Sequence, residues 1–382
     1  MRKKAIIFLN LLVLTLSLKS QAQADHWPEV KKLKSGNALS TFVYDYWDYS
    51  KKNGAHELGQ YLGSSDIKNL LIEGPIVGDY HFNNVALYFS EKTKQSELAI
   101  ADLDDSGTGA YFFDLIKFYT YLTDEKFNFS KKDFFNSYLM GLNQTMDELK
   151  GQQDAVIGEM FELDKTSFHK ANEKYTTKKY ENNKFTADLK LSAVTDKNSK
   201  KLIEIAIKEF IPKAKILDMG SRINVSGSSM GSIRYWILIQ MGSDVRIIEF
   251  KELKSPSVIK YSAKQLNQEK RFSSLNEAFK SAEYWKTSKI LTTQDKKSYL
   301  LRLKTKNPLE DIVLDLVKDN SNELVKLYAG YLGYIHSQKM NPAAHSEYIQ
   351  AIDNNIKDLI KFSAVYSESY IKSLEKRMKK NK

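Results

Sequence analysis

The residue types best suited to chemistry are concentrated between Val77 and Asn84. This stretch carries Asp79, His81 and Asn84 within one short segment, and an acidic cluster that begins at Asp102 follows it after one apolar segment. A carboxylate can orient a hydroxyl group, and an amide together with a carboxylate can hold Mg²⁺ against phosphate oxygens. The spacing therefore predicts that this region assembles a base and two metal ligands for phosphoryl transfer.

A predicted hairpin positions these groups. Its two apolar strands are expected at 85–89 and 98–101, with a polar turn at 91–94 between them. Asp79 and Asn84 precede the first strand, and Asp102 follows the second. Because antiparallel strands place the start of one beside the end of the other, we expect these side chains to lie close together.

Apolar periodicity predicts further elements on both sides of this hairpin. A buried strand is expected at 70–72, with a break at 73–75. Helices are expected at 27–50, 111–122, 131–149, 202–210, 263–285, 322–337 and 343–380, and strands at 215–225, 233–240, 245–252 and 299–303. The stretch 169–200 is rich in Lys, Asn and Thr, which predicts an exposed connection between two lobes.

A glycine- and serine-rich turn, residues 226–232, joins the first two strands of the later group. Unencumbered N–H groups in such a turn can fold over phosphates, although most turns of this composition are only flexible loops. Lys251 lies on the third strand, where a kinase-type sheet carries the lysine that binds nucleotide phosphates. The alternative is a lysine on an exposed strand face. The helix that follows offers three partners for Lys251, namely Glu269, Glu277 and Glu283.

The first 24 residues have the pattern of a secretory signal peptide. A basic segment, Arg2 to Lys4, precedes an apolar run from Ala5 to Leu18 and an Ala-x-Ala site at Ala22 to Ala24. The apolar run is shorter than the ~20 residues that a spanning helix needs. We therefore expect an exported protein, periplasmic or secreted, with no stable membrane anchor after cleavage.

The composition excludes several classes of function. The chain has 382 residues, of which 42% are hydrophobic, as expected for a globular protein. Loss of the four positive charges in the signal peptide lowers the formal net charge from +11 to +7. This lysine excess lacks an arginine stripe interleaved with aromatic residues, so no nucleic-acid partner is expected. The absence of cysteine excludes disulfides, thiolate metal sites and a lipid-modified N-terminal cysteine.

Taken in order, these motifs resemble the bacterial family called domain of unknown function 2252, which is distantly similar to aminoglycoside phosphotransferases and protein kinases. The family pattern G-D-x-H-x-x-N matches Gly78, Asp79, His81 and Asn84. Its N-D-F-D-E-T…G-P…W-D block aligns with 101–114 and keeps Asp102, Asp104, Gly109 and Asp114. Its later glycine-rich and K-E-x…S motifs look like 227–231, Lys251, Glu252 and Ser255 or Ser257. Ala101 and Leu103 replace the family's Asn and Phe, and its upstream F-x-R-G element has no clear match near Phe42.

The resemblance implies an α+β, two-lobed, protein-kinase-like fold. The catalytic loop precedes the glycine-rich turn here, which is the reverse of the kinase order, so the fold is expected to be circularly permuted. The implied domains are a signal peptide (1–24), a helical lobe with the catalytic loop (25–200), a β lobe with Lys251 (201–305), and C-terminal helices that return to the helical lobe (306–382).

The resemblance also implies roles for single residues. Asp79 is the expected catalytic base, and His81 beside it is expected to orient the loop more than to act as a base. The implied metal ligands are Asn84, Asp102 and Asp104, although Asp104 could equally be a supporting or solvated turn residue. The phosphate-binding residues are Gly227, Ser228, Ser229, Gly231 and Lys251, and Asp114 is a carboxylate that supports the loop. The implied cofactors are Mg²⁺ and ATP or another nucleotide.

Three functions are compatible with these residues. The leading hypothesis is a Mg²⁺-dependent phosphotransferase that moves a phosphoryl group from a nucleotide to a hydroxyl of an unknown acceptor. Export argues against a simple ATP-dependent enzyme, because little ATP exists outside the cytoplasm. The alternative is an inactive, pseudokinase-like module that binds a phosphorylated or nucleotide ligand. A weaker third hypothesis is a phosphate-ester hydrolase, and the simplest alternative is an acidic loop with a purely structural role.

Overall fold

The computed structural model describes residues 39, 42–153, 156, 165–224, 229, 231–262, 267–293, 297–305 and 321–380. These residues form helices together with antiparallel sheets, which confirms the α+β class. The predicted signal peptide lies outside the described residues. Within them, no helix combines the length and the apolar character that a membrane span requires.

The first half of the described chain is mainly helical. Its helices are α1 (Val43–Tyr49), α2 (Ala55–Leu58), α3 (Ser64–Leu70), α4 (Tyr111–Asp124), α5 (Lys131–Asn143), α6 (Met146–Gln153) and α7 (Lys165–Thr177), and a π-helical turn, Ser50–Gly54, joins the first two. Its strands are β1 (Glu73–Ile76), β2 (Val85–Ser90), β3 (Gln95–Ile100), β4 (Gly107–Ala110), β5 (Tyr180–Glu181) and β6 (Lys184–Phe185).

The second half contains all six described strands of the large sheet. Its strands are β7 (Ser192–Ala193), β8 (Lys215–Ile223), β9 (Ile233–Met241), β10 (Asp244–Leu253), β11 (Ser288–Thr292) and β12 (Ser298–Leu303). Its helices are α8 (Lys197–Phe210), α9 (Gln268–Ala278), α10 (Ser321–Ser337) and α11 (Pro342–Lys380).

Six antiparallel strands form the large sheet, in the order β11, β12, β10, β9, β8, β7. Side chains alternate between the two faces of a strand. One face is apolar and packs against α8, with Ile237 and Phe250 of the sheet in one cluster with Ile203 and Ile207 of the helix. The opposite face carries charged residues in its centre and is directed toward the hairpin described next.

The hairpin of β2 and β3 is confirmed. Val85 pairs with Ile100, and the N–H of Ala101 donates to the carbonyl oxygen of Asn84 at 2.8 Å. This last bond lies at the open end of the hairpin. It places Asn84 and the start of the acidic segment side by side, as the strand pattern predicts.

The strand expected at 70–72 is wrong. Leu70 ends α3, and the strand β1 covers Glu73–Ile76, where a break was expected. The apolar run belongs to the end of a helix, whereas Gly74 allows a close approach that a larger residue would prevent. A Cβ atom at Gly74 would lie 1.8 Å from the hydroxyl oxygen of Tyr111. β1 pairs with β4, a strand of small residues that apolar periodicity did not predict.

Other boundaries also differ from the sequence prediction; the helix expected at 202–210, for example, begins at Lys197. The helix expected at 131–149 is interrupted, because Thr145 and Glu148 form a reciprocal capping box that begins α6. The stretch 169–200 is not a bare connection, since it contains most of α7, the small β5–β6 hairpin and the edge strand β7. Within 263–285 the described helix is Gln268–Ala278, which ends seven residues before the expected Trp285, and the side chain of Asn267 accepts a bond from Lys270 N at its start.

Candidate active site

Buried side chains hold the backbone of the loop between β1 and β2. The carboxylate of Asp114 on α4 accepts bonds of 2.9 Å from the N–H groups of Val77 and Gly78. Trp47 Nε1 donates to the carbonyl oxygen of Gly78 at 2.8 Å. Bonds to a carboxylate are stronger than bonds between neutral groups, and Asp114 is fully buried. The supporting role predicted for Asp114 is therefore confirmed.

Gly78 has a conformation that other residues adopt only at a cost. Its φ angle is +79°, and a Cβ atom there would lie 2.2 Å from the carbonyl oxygen of Asp105. The loop and the acidic segment are therefore in direct contact. Ser106 adds a hydrogen bond of 2.7 Å from its hydroxyl to the carbonyl oxygen of Val77.

Helix α10 packs beside this loop. His336 Nε2 lies 3.2 Å from a carboxylate oxygen of Asp114, and His336 Nδ1 lies 2.8 Å from the hydroxyl of Tyr138. Burial lowers the pKa of His336, although the bond to Asp114 opposes this. The hydroxyl of Tyr80 in the loop donates to the carbonyl oxygen of Tyr328 on α10 at 2.8 Å. Helix α10, which ends near His336, thus supports the loop through its contacts with Asp114 and Tyr80.

Asp79 is buried and forms an ion pair with Lys117 of α4. Lys117 contacts Asp79 Oδ1, while the contacts of Oδ2 with described residues are longer, 3.5 Å each to His81 Nε2 and Asn84 Nδ2. Burial would raise the pKa of Asp79, but the charges of Lys117 and His81 outweigh it and hold that pKa below its usual value. Asp79 is therefore ionised at neutral pH. Its Oδ2 is the oxygen left to accept a hydrogen bond from the hydroxyl group of a substrate.

His81 and Asn84 both bond within the loop. His81 Nδ1 accepts a bond of 3.2 Å from the N–H of Asn83, and its ring stacks on Tyr121 with the centroids 5.3 Å apart. These contacts are those of a residue that orients the loop. Asn84 Nδ2 donates to the carbonyl oxygen of Asp79 at 2.8 Å, which leaves its amide oxygen for a ligand.

Lys251 crosses from the sheet to the acidic segment. Its side chain is fully buried and forms ion pairs with Asp104 and, at 3.3 Å, with Asp102 Oδ2. The alternative of a lysine on an exposed strand face is therefore wrong. The structure brings three of the predicted site residues together here, and the hairpin places the backbone of Asn84 beside Ala101, the residue before Asp102.

The prediction of a glutamate partner on the following helix is wrong. Glu277 pairs with Lys339 at 2.5 Å, and Glu283 accepts bonds from the N–H groups of residues 91 and 92 and from Ser90. Glu269 is exposed in the first turn of α9. The two aspartates lie directly across from Lys251, so no helix carboxylate is needed to neutralise it.

Helix α9 instead directs Arg271 at the acidic segment. The guanidinium group donates to the carbonyl oxygens of Leu103 and Ser106 at 2.6 and 2.7 Å. Asp105 accepts two bonds from Ser257, one from its hydroxyl group and one of 3.2 Å from its backbone N–H. Ser257 is one of the two serines expected after the Lys251–Glu252 motif. These bonds fix the backbone of the segment, while the carboxylates of Asp102 and Asp104 are directed at Lys251.

The donor set suits a hard cation such as Mg²⁺. Asn84, Asp102 and Asp104 supply oxygen ligands only, and Asp104 Oδ1 is buried with no hydrogen-bond partner. Burial opposes ionisation of Asp102, but Lys251, Arg302 and Arg234 outweigh it and lower its pKa, whereas burial and the charge of Asp102 raise the pKa of Asp104. Across the described ranges, no group of three or more His, Asp and Glu side chains could hold a metal ion. Any metal here would therefore depend on the Asn84 amide and on ligand oxygens as well.

The glycine-rich turn is described only in part. Gly227 and Ser228 lie outside the described residues. The hydroxyl oxygen of Ser229 accepts bonds of 2.8 Å from Arg234 Nη2 and 3.0 Å from Asn224 Nδ2. Gly231 has a φ angle of +77°, and its N–H donates to the carbonyl oxygen of Asn224 at 2.7 Å. The end of the turn is thus folded back toward β9.

Sequence reasoning missed Lys117 and the arginines of the large sheet. Lys117 lies three residues after Asp114, so both project from one side of α4 toward the loop. This spacing was a usable signal. For Arg234 and Arg302 the signal was weaker, since strand alternation places them on the face of Lys251 but does not identify what that face covers.

Comparison with protein-family models, with curated proteins and with solved structures gave no match to this chain.

Proposed function

We propose that this protein is an exported, Mg²⁺-dependent phosphotransferase with a circularly permuted, kinase-like fold of two lobes. In this proposal the helical lobe comprises residues 25–200 and 306–382 without the β5–β6 hairpin and β7, which pack on or join the large sheet of the β lobe, 201–305. The observation that carries it is the pairing of buried Lys251 with Asp102 and Asp104, beside the loop of Asp79. A buried lysine that faces two aspartates at the end of a hairpin suits a site for phosphate and metal.

The order of parts around Lys251 supports the proposal. A glycine-rich turn joins β8 to β9, the lysine lies on the next strand, and a helix follows. Kinases arrange their glycine-rich loop, lysine and helix in this order. This protein differs from kinases in the helix that follows. Helix α9 does not supply a glutamate for the lysine; it contributes Arg271, which donates to backbone carbonyl oxygens. The motif resemblance to domain of unknown function 2252 points to the same class of fold.

The reaction requires one proton transfer and one exchange of P–O bonds. The acceptor hydroxyl oxygen forms a bond to the terminal phosphorus, and the bond from that phosphorus to the oxygen of the leaving phosphate breaks. The hydroxyl proton passes to Asp79, whose Oδ2 has only long contacts. Because the pKa of Asp79 is lowered, this carboxylate orients the hydroxyl and receives the proton late in the reaction.

Each remaining residue has one task. Lys251 neutralises charge on the phosphate chain. In the described part of the glycine-rich turn, the N–H of Gly231 is already donated to Asn224, and Ser229 lies beside Arg234. Asn84, Asp102 and Asp104 would hold the metal ion, which when bound supplies positive charge between phosphate oxygens. Lys117 and His81 keep Asp79 ionised and oriented.

The test measures binding and turnover separately. ATP is titrated into the mature protein by calorimetry with and without Mg²⁺, and ATP hydrolysis serves as the turnover assay because the acceptor is unknown. We expect Mg²⁺-dependent binding that Asp102→Ala removes. Asp79→Asn should lower turnover at least a hundredfold and change binding less than about threefold. Asp188→Ala, at an exposed turn position, is the matched control and should change neither quantity.

A second candidate is a binding module without turnover. The ion pairs of Asp79 with Lys117 and of Lys251 with both aspartates favour it, because these predicted site residues are already neutralised by partners within the protein. Mg²⁺-dependent binding without turnover, unchanged by Asp79→Asn, would establish this function. Release of phosphate from simple phosphomonoesters would instead indicate a hydrolase, and no binding of any nucleotide would refute the kinase-like proposal.

A further inference from the structure

Three cations lie directly opposite one another on the charged face of the large sheet. Arg222 on β8 pairs in register with Arg234 on β9, which pairs with Lys251 on β10. Residues in such register project from the same face, and like charges placed directly opposite destabilise a sheet. Lys251 is neutralised by Asp102 and Asp104. The two arginines have no such pair of carboxylates.

Two carboxylates among the described residues act on the arginines of this face: Glu249, and Asp102, whose pKa is lowered by the charges of Arg302 and Arg234. Glu249 is fully buried and forms its shortest ion pair, 2.8 Å, with Arg302 on β12. Arg234 and Lys304 lie 3.7 and 3.6 Å from its other oxygen. We call Arg222, Arg234, Arg302 and Lys304 the cationic cluster. Its four positive charges outnumber the two carboxylates that they act on, Glu249 and Asp102, and Asp102 is also paired with Lys251.

The cationic cluster has unsatisfied polar groups. Arg222 Nε and Arg234 Nε are buried without a hydrogen-bond partner, as is Glu249 Oε1. Burial and the charge of Arg234 lower the pKa of Arg222, although Glu249 opposes this. Burial also lowers the pKa of Lys304, again against Glu249. A buried donor without a partner costs free energy, which a bound anion would recover.

The cationic cluster extends the phosphate site of Lys251. Arg234 Nη2 donates to the hydroxyl of Ser229, within the glycine-rich turn, at 2.8 Å. Arg302 Nη1 donates to the carbonyl oxygen of Ala101, at the start of the acidic segment, at 3.0 Å. The cluster therefore spans the distance from the glycine-rich turn to the proposed metal ligands.

Among the described residues of this face, the ring of Trp236 is not free to stack on a nucleobase. Two cations already lie over the ring of Trp236: the guanidinium carbon of Arg222 is 4.7 Å and Lys304 Nζ is 4.9 Å from its centroid. Beyond Trp236, the apolar end of the face is covered by the chain itself, through the β5–β6 hairpin and residues near it. Phe185 lies 6.3 Å from Trp236, centroid to centroid, within one apolar cluster. A base inserted here would have to displace cations or core residues.

We propose that the cationic cluster binds an oligophosphate, and that the ligand of this protein is recognised through its phosphate chain and not through a nucleobase. The inference deepens the proposed function, on which it rests, by naming the chemical class of the phosphoryl donor. Both a nucleoside triphosphate and an inorganic phosphate chain present this chemistry, so the experiment must separate them. An inorganic donor would also remove the difficulty that export raises for ATP.

The experiment compares inorganic tripolyphosphate, ATP and adenosine as ligands of the mature protein, by calorimetry in Mg²⁺ buffer. We expect tripolyphosphate and ATP to bind with dissociation constants within about threefold of each other, and adenosine not to bind. Arg222→Gln and Lys304→Gln should each weaken both anions about tenfold, the loss expected for one charge-assisted hydrogen bond. Neither residue is the proposed base or one of the proposed metal ligands.

Two controls separate charge from folding. Lys289→Gln removes one charge from an exposed position on β11 of the same sheet, where the lysine pairs only with Glu209, and should leave binding unchanged. Arg222→Lys keeps the charge and should retain most of the affinity. Thermal unfolding of each variant shows whether a lost affinity reflects a lost fold.

The outcomes distinguish this inference from the proposed function. ATP that binds at least tenfold more tightly than tripolyphosphate, or that adenosine displaces, would overturn the inference and leave a nucleotide phosphotransferase intact. Binding of tripolyphosphate through Arg222 and Lys304, with no turnover that depends on Asp79, would uphold the inference and refute the enzyme. Failure of both anions to bind would overturn both.

Discussion

The loop of Asp79 and the cationic cluster are both buried and polar, but they satisfy their polar groups to different degrees. In the loop, Asp114 accepts two backbone bonds, Trp47 and Ser106 donate to backbone carbonyls, and Asp79 pairs with Lys117. On the sheet, Arg222, Arg234 and Glu249 each have a buried atom without a hydrogen-bond partner, and so has Trp236.

This difference indicates that the two regions contribute to function in different ways. A satisfied network keeps its geometry whether or not a ligand is present, as a residue that orients a reacting group requires. An unsatisfied cluster with excess positive charge costs stability in the free protein and gains most from an anion. The loop is therefore expected to contribute to stability, and the cationic cluster to binding. The predictions below test this division.

The largest effect is expected from Lys117→Met compared with Lys304→Met. Lys117 is 1% exposed, and its removal leaves Asp79 buried without its main partner, so we expect a loss of about 3–5 kcal/mol in the free energy of unfolding. Lys304→Met removes a charge that neighbouring arginines repel, and Glu249 keeps Arg302. We expect a change below about 1 kcal/mol. Urea unfolding of the ligand-free variants measures both.

The double variant Asp79→Asn with Lys117→Met provides the control for that comparison. Because it removes both charges, it should be more stable than Lys117→Met alone if the loss comes from an unpaired buried carboxylate. Equal losses for Lys117→Met and Lys304→Met would contradict the division between the two regions.

A smaller effect is expected from pH. The pKa of Asp79 is below its usual value of 3.8, since Lys117 and His81 outweigh burial. A carboxylate with a lowered pKa stabilises the folded state fully above its unfolded pKa, and this stabilisation is lost as the pH falls through the folded pKa. The difference in unfolding free energy between the wild type and Asp79→Asn should thus be constant at and above about pH 5 and shrink below 3.8. A difference that already shrinks between pH 7 and pH 5 would show that the pKa is raised.

The smallest effect is expected for the stability of Arg222→Gln without ligand. The substitution relieves repulsion from Arg234 but loses the contact with Trp236, and each contribution is about 0.5–1 kcal/mol. We expect the unfolding free energy to change by less than about 1 kcal/mol. Saturating tripolyphosphate should then stabilise the wild type more than the variant, which thermal unfolding measures. A variant much less stable than the wild type before any ligand is added would make Arg222 a structural residue.

Local patterns predicted the hairpin and its acidic ends well. Strand alternation and the polar turn placed Asn84 beside the start of the acidic segment, and the bond between Ala101 and Asn84 confirms it. The strand predicted from the apolar run at 70–72 was wrong, because a buried helix end and a buried strand have the same composition over three residues. The strand β1 could not be recognised from Gly74 and Pro75, whose fit depends on the ring of Tyr111.

The sequence by itself determined the candidate chemistry: the carboxylates and amide near 79–84 and 102–104, the glycine-rich turn, and a lysine on the strand after it. Only the tertiary structure decided the partners of these groups. Lys251 pairs with aspartates far away in the chain, and Arg271 takes the place expected of a glutamate. The physical reason is that an ion pair depends on distance and burial, which spacing along the chain defines only within one helix or one hairpin.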